Sequence, residues 1–246
     1  MAESFISVNW PAPDSVRAII TTRNGGQSLT PYASFNLAEH VGDNPISVQK
    51  NRQALVRSAQ LPAEPLWLRQ THSTRVIDAS QWQADVEADA IICDVPNLVC
   101  VVMTADCLPV LITDKSGSQI AAVHAGWRGL LDGIIENTLA KFNAPASELM
   151  VWLGAAIGPE AFEVGPEVKE AFVAIDSLAE SAFVPSHSDR FLADIYQLAR
   201  QRLSAQGVSA IYGGDYCTYT EKERFFSYRR DGITGRMATL IWIAAE

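Results

Sequence analysis

The sequence predicts a single mixed α/β domain spanning residues 1–246, and three observations carry that expectation. Short apolar segments bounded by turn residues crowd the middle of the chain. Segments with apolar residues at three- and four-residue spacing follow and precede them, and no repeat, low-complexity tract or linker divides the whole. With 246 residues, 48% of them apolar, there is material for one sizeable packed core.

Taken in order, an apolar run from Val16 to Thr21 ends in the Gly-rich turn RNGGQS, and Tyr32 to Leu37, YASFNL, reads as a loop. Pro45 to Leu61, with Ile46, Leu55 and Val56 among charged residues, is expected to be a helix of moderate amphipathicity. Strands are expected at Leu66–Leu68, Ala90–Ile92, Val99–Met103, Val110–Thr113 and Ile120–Val123, each short and bounded by turn residues. The pattern LLDGIIENTLAKF then predicts one helix with a buried face, ending before Pro145. Met150–Ala156 reads as a buried strand and GAAIGPEAF as a loop inside the domain. Pro166–Ile175 and Phe191–Gln206 read as helices, the second with Leu192, Ile195, Leu198, Ala199 and Leu203 on one stripe, and Arg236–Ile243 as a closing strand.

Charge narrows the function classes. A net charge of −9, a pI near 4.9 and no run of Lys or Arg argue against nucleic acid or an anionic membrane as partner. The start MAESFISVNWPAPDS lacks a basic, apolar signal, and no apolar run approaches the ~18 residues of a membrane span, so a cytoplasmic location is expected. Cys93, Cys100, Cys107 and Cys217 form no CxxC pair, which leaves buried thiols or metal ligands as their readings.

The segment AAVHAGWRGLL, residues 121–131, sets an ionisable side chain where an apolar strand hands over to a helix. His124 there, Cys107 in TADCLP and His72 in RQTHSTR each sit at a strand end or loop, where a scaffold presents reactive groups. They lie 35 and 17 residues apart, a spacing that fits no compact zinc finger. Converged in space they would make a His2Cys site suited to zinc, with copper also possible, and three protein ligands leave a fourth position open. Zinc there would bring the pKa of a bound water to about 7. The alternative for each is structural, a small core thiol or a hydrogen-bonded histidine. Asp106, beside Cys107, either orients a ligand or acts as a base. Arg128 lies on a first helical turn, where backbone N–H groups favour an anion, and either holds phosphate or forms a surface ion pair.

The segments TADCLPVLI, VHAGWRGLLDGIIENT, GAAIGP and FFSYRRDGITGRMA, with SFNL and QTHS upstream, resemble the family of laccase-domain and polyphenol oxidase-like proteins, which includes zinc purine nucleoside phosphorylases and bacterial peptidoglycan editing factors. The resemblance covers nearly the whole chain. It implies a layered α/β fold with mixed β-sheets flanked by helices, similar to the catalytic domain of cytotoxic necrotizing factors, whose Cys–His deamidation keeps Cys107 in view as a nucleophile. It implies that His72, Cys107 and His124 are the metal ligands.

The activity so implied is phosphorolysis of adenosine, inosine or methylthioadenosine with deamination of adenosine, the partners being a small-molecule nucleoside and phosphate. Peptidoglycan-precursor editing, releasing serine from UDP-muramoyl-serine, is the alternative. Copper-dependent polyphenol oxidation and a non-catalytic zinc-binding module stand behind it. Asn36 and Arg23, in family-like loops, either contact ribose and phosphate or cap turns. Arg229 and Arg230 either close the pocket or pair with Asp231. Cys217 reads as a buried thiol, Cys93 and Cys100 as core, and His40 and His187 as exposed loop residues.

Overall fold

Strand periodicity dictates the layering. In a strand, successive side chains point to opposite faces, so a strand that is apolar at every position must be covered on both sides. Cys100–Thr104, Leu108–Asp114, Ile120–Ala125, Leu149–Leu153 and Met237–Ile243 are buried at every residue. In the computed structural model, which describes residues 3–245, these strands form two stacked sheets with helices on the outer faces.

The first sheet is antiparallel and orders Phe5–Ser7, Val16–Thr21, Met237–Ile243 and Cys100–Thr104 side by side. The second is mixed and runs Ala210–Gly213, Leu149–Leu153, Leu108–Asp114, Ile120–Ala125, Ala90–Cys93 and Val76–Asp78, antiparallel at its centre and parallel at both edges. Ile20, Val102 and Ile241 of the first sheet pack on Ile91, Leu111 and Ala122 of the second. The alternate residues Ile19, Val101 and Leu240 turn outward to Phe35, Leu37 and Leu55. On the far side, Ile92, Val110 and Val123 meet Leu130, Ile135 and Leu198 from the helices. A small three-stranded sheet of Phe183–Pro185, Phe191–Ala193 and Glu163–Val164 flanks this helical layer.

The helix expected from Pro45 is present as Pro45–Ser58, capped by Asn44 Oδ1, which accepts from the backbone N–H groups of Ile46 and Ser47. Three local expectations are corrected. Leu66–Leu68 forms no strand, only a single bridge from Leu66 to Cys100. The helix expected from Leu130 is two short ones, Trp127–Asp132 and Ile134–Leu139, because Gly133 at φ +98° ends the first in a left-handed turn. Phe191–Gln206 divides into the strand Phe191–Ala193 and the helix Ile195–Ala205, with Asp194 capping the latter through the N–H of Gln197. Apolar periodicity alone could not reveal that cap. None of the described helices is long and apolar enough to cross a membrane.

Candidate metal centre

Register brings the distant residues together. Leu108 pairs with Ala125 and Pro109 with His124, so Cys107, one residue before Leu108, lies at the same sheet end as His124. On the other side Ala90 pairs with Val123, and His124 donates its backbone N–H to the carbonyl of Asp89 at 2.7 Å. Three neighbouring strands thus deliver Cys107, His124 and Asp89 to one edge. His72 comes from the loop that Asp89 ties down.

Asp89, 0% exposed, is the hub. Its Oδ1 accepts from His72 N at 3.0 Å and lies 2.8 Å from His124 Nδ1, while Oδ2 accepts from Thr71 N at 3.2 Å, Ser73 N at 2.7 Å and Ser73 Oγ at 2.7 Å. Burial alone would raise this carboxyl, but the hydrogen bonds from His124 and Ser73 prevail and hold it down at about 2. Facing a carboxylate, Nδ1 of His124 carries the proton, which leaves the Nε2 lone pair for the cluster. The same bonds hold His72 at φ +61°, a left-handed conformation unusual for a residue with a side chain.

The ligand atoms of His72, Cys107 and His124 lie within 4.8 Å of one another, with Cys107 Sγ 3.7 Å from His72 Nε2. Ligands at ordinary Zn–S and Zn–N distances around a tetrahedral ion would be about 3.5 Å apart, so the spacing fits a metal. The thiolate and imidazole donors are those that hold zinc or a single copper. Among the described residues no fourth His, Cys, Asp or Glu joins the group, as in a site open for catalysis rather than a closed structural one. Without metal, burial would raise the Cys107 thiol, but His124 and His72 bring it to about 6. Burial would likewise lower His124, but Asp89 and Cys107 raise it to about 9. A half-buried thiolate beside a buried imidazolium is the result. Gly126 closes in on the cluster: a Cβ there would stand 2.7 Å from His72 Cδ2 and 3.2 Å from Cys107 Sγ.

The cluster opens into a cavity of about 690 Å3. Trp127, Phe162 and Tyr228 supply aromatic surface to it, and Arg128, Arg229 and Arg236 supply positive charge. Arg128 is exposed, stacks on the Trp127 ring at 4.3 Å and forms no ion pair among the described residues, which sets aside the surface-ion-pair reading. Arg229 lies in the wall with Nη1 on the carbonyls of Ala161 and Glu163, whereas Arg230 is used up by the carbonyls of Thr218, Tyr219 and Phe225 and by Asp231.

Other expectations change here. Asp106 borders the cavity, at φ +96°, but its carboxylate accepts from Thr218 Oγ1 at 2.6 Å and Arg229 N at 2.7 Å. It anchors the loop that presents Cys107 rather than standing free as a base. Asn36 is buried and spent on Ala38, Asp43 and the backbone N–H of Arg236, and it does not line the cavity. Arg23 also lies outside it, its guanidinium bound to the carbonyls of Ala33 and Lys222. His40 is exposed as expected yet borders the cavity, while His187 is exposed and does not. Cys93 and Cys100 are buried in the core. Cys217, half-buried, accepts from Gly158 N and stands apart from the ligand group. Sequence reading missed Asp89 and Arg236; the one available signal was an acid directly preceding a wholly apolar strand.

Comparison with known proteins identifies a family and several relatives. Residues 17–244 match the family described as multi-copper polyphenol oxidoreductase laccase. The chain is 54% identical over 239 residues to a Haemophilus influenzae protein named purine nucleoside phosphorylase, covering 96% of this chain and 98% of that one. It is 54% identical over 240 residues to the Escherichia coli purine nucleoside phosphorylase YfiH, covering 97% and 98%. A Neisseria meningitidis crystal structure superposes with a TM-score of 0.95 at 48% identity, over 99% of this chain and 100% of that one. YlmD from Geobacillus stearothermophilus superposes with a TM-score of 0.92 at 27% identity, over 100% and 98%.

Proposed function

This chain belongs to the multi-copper polyphenol oxidoreductase laccase family, and from that premise we propose that it is a zinc-dependent purine nucleoside phosphorylase with adenosine deaminase activity. The observation that carries the reading is one His2Cys cluster at a cavity that also presents aromatic faces and free cationic groups. The names of the relatives weigh for a nucleoside over a muramoyl amide. Several coppers do not fit the donors: the chain has four histidines, and only His72 and His124 join the single three-ligand group among the described residues.

In phosphorolysis an oxygen of phosphate bonds to the ribose C1′ as the bond from C1′ to the purine nitrogen breaks, and the departing base takes the electron pair and a proton. The face of Trp127 or Tyr228 offers a stacking surface for the purine. Arg128, with no carboxylate partner, draws the phosphate dianion toward the cavity. Asp89 fixes the imidazole of His124 and the loop of His72, so the donor atoms are in place before substrate arrives. A zinc ion held by these three residues would supply Lewis-acid stabilisation of developing negative charge.

The test is product analysis on metal-loaded protein with inosine, with and without phosphate. Hypoxanthine and ribose 1-phosphate are expected only when phosphate is present. Base release without phosphate would overturn the phosphorylase reading, as would no base at any phosphate concentration. In the second case, serine freed from UDP-muramoyl-serine would put the editing amidase in its place. Adenosine supplied without phosphate tests the deaminase activity, with inosine as the expected product.

A further inference from the structure

Arginines on this molecule are almost all accounted for where they are shielded. Arg52, Arg202 and Arg230, each with a side chain 16% exposed, meet Glu39, Glu136 and Asp231. Arg23 and Arg200 spread two or more guanidinium nitrogens over backbone carbonyls. Arg236 is the exception. It is half-buried in the cavity wall, and only its Nη1 is used, on the carbonyls of Thr234 and Gly235 at 3.0 Å each. Among the described residues no carboxylate pairs with it and its Nε and Nη2 make no hydrogen bond; the guanidinium lies 5.9 Å from the centre of the Tyr228 ring, a contact that leaves the Nε–Nη2 edge open to an acceptor. That edge is the one with which a guanidinium grips two oxygens of a tetrahedral or planar anion.

The residue is held rigidly. Its backbone N–H donates to Asn36 Oδ1 at 3.0 Å, its carbonyl accepts from Leu37 N, and it sits one residue before the central strand Met237–Ile243. Gly235 lets the chain pass here: a Cβ would stand 2.8 Å from both Asn36 Cβ and the Phe226 ring. Arg236 lines the same cavity as Asp106, Cys107 and His124. His40 borders the same cavity.

We infer that Arg236, positioned by Asn36 and accompanied by His40, is the residue that binds the reacting inorganic phosphate, while the exposed Arg128 only attracts it. The inference rests on the phosphorylase reading for the anion's identity, and on the guanidinium edge that makes no hydrogen bond for its place. A half-buried cation without a counter-ion costs more than an exposed one, and a dianion removes that cost when it binds. The loss of a charge-assisted, two-point contact corresponds to about 10- to 100-fold in affinity.

The experiment compares wild type, Arg236→Gln, Arg236→Lys and Arg128→Ala, all metal-loaded and checked for folding by thermal midpoint. It measures KM for phosphate, KM for inosine and direct binding of inorganic phosphate by calorimetry. Arg236→Gln should raise the phosphate KM and Kd about 10- to 100-fold and move the inosine KM less than ~3-fold. Arg236→Lys should recover part of the loss, and Arg128→Ala should raise the phosphate constants by less than Arg236→Gln does, as an exposed contact does. Unchanged phosphate constants in a folded Arg236→Gln would overturn the inference and leave the phosphorylase reading intact. Wild type that binds phosphate without phosphorolysis, with binding lost in Arg236→Gln, would sink the phosphorylase reading and uphold the anion site. Wild type that binds no phosphate by calorimetry would overturn the site.

Discussion

Replacing Asp89 by Asn keeps the shape of the side chain and removes what the carboxylate does. The native group takes four hydrogen bonds from the 71–73 loop and faces the Nδ1 of His124. An Asn has one acceptor oxygen. If that oxygen stays with Ser73 and Thr71, the amide NH2 points at His72 N and His124 Nδ1. Donor then meets donor at His72, and Nδ1 of His124 must give up its proton, which moves to Nε2 and blocks the lone pair needed for the metal. Loss of such an outer partner costs metal affinity about 10- to 100-fold. Each buried donor left without an acceptor costs about 1–3 kcal/mol of stability. The pH dependence carries the same signature: a carboxyl at about 2 when folded and about 3.9 when unfolded contributes roughly 2 kcal/mol above pH 4, lost as pH falls toward 2. Zinc competition against a chelator, with urea unfolding between pH 2 and 7, measures both effects. An Asp89→Asn protein that holds zinc within twofold of wild type and keeps the acid-side slope of stability would refute the reasoning.

Gly126→Ala tests the crowding at the cluster. The backbone there, at φ −61°, accepts alanine, so the clash with His72 and Cys107 should lower zinc affinity at least ~10-fold while the thermal midpoint moves only a few degrees, read by chelator competition and a melting curve. Cys107 should be alkylated in metal-free protein with a midpoint near pH 6, because its thiolate persists above that value, against about 8.5 for a free thiol. Peptide mapping after iodoacetamide at graded pH checks this, and His124→Ala should shift the midpoint upward; a midpoint near 8.5 in wild type would remove the imidazolium from the account.

What the sequence disclosed follows from what periodicity and residue type can encode. Leu108–Asp114 opens on the apolar run Leu108–Ile112 and Ile120–Ala125 on Ile120–Val123, so both the strands and their burial were legible. The three ligand residues were visible as a thiol and two imidazoles at strand ends or loops, where a structural role is the commoner one; the resemblance of their segments to the laccase-domain family is what singled them out. Gly133 sat within a pattern that reads as one helix, since apolar spacing continues across it while the backbone does not. The role of Asp89 depends on an edge that only strand pairing creates, across the register of Ala90 with Val123. Asn36 and Arg236 lie 200 positions apart in sequence and share a hydrogen bond, so reading Asn36 alone left a ligand contact and a turn cap as alternatives and could not show its brace on Arg236.

Titrating zinc into metal-free protein while following hypoxanthine release from inosine and phosphate shows whether a single metal held by His72, Cys107 and His124 governs phosphorolysis. The rate should rise linearly and break at one equivalent of zinc per chain, with Cys107→Ser showing no such rise. Full activity in protein shown by elemental analysis to be free of metal would contradict metal-governed phosphorolysis.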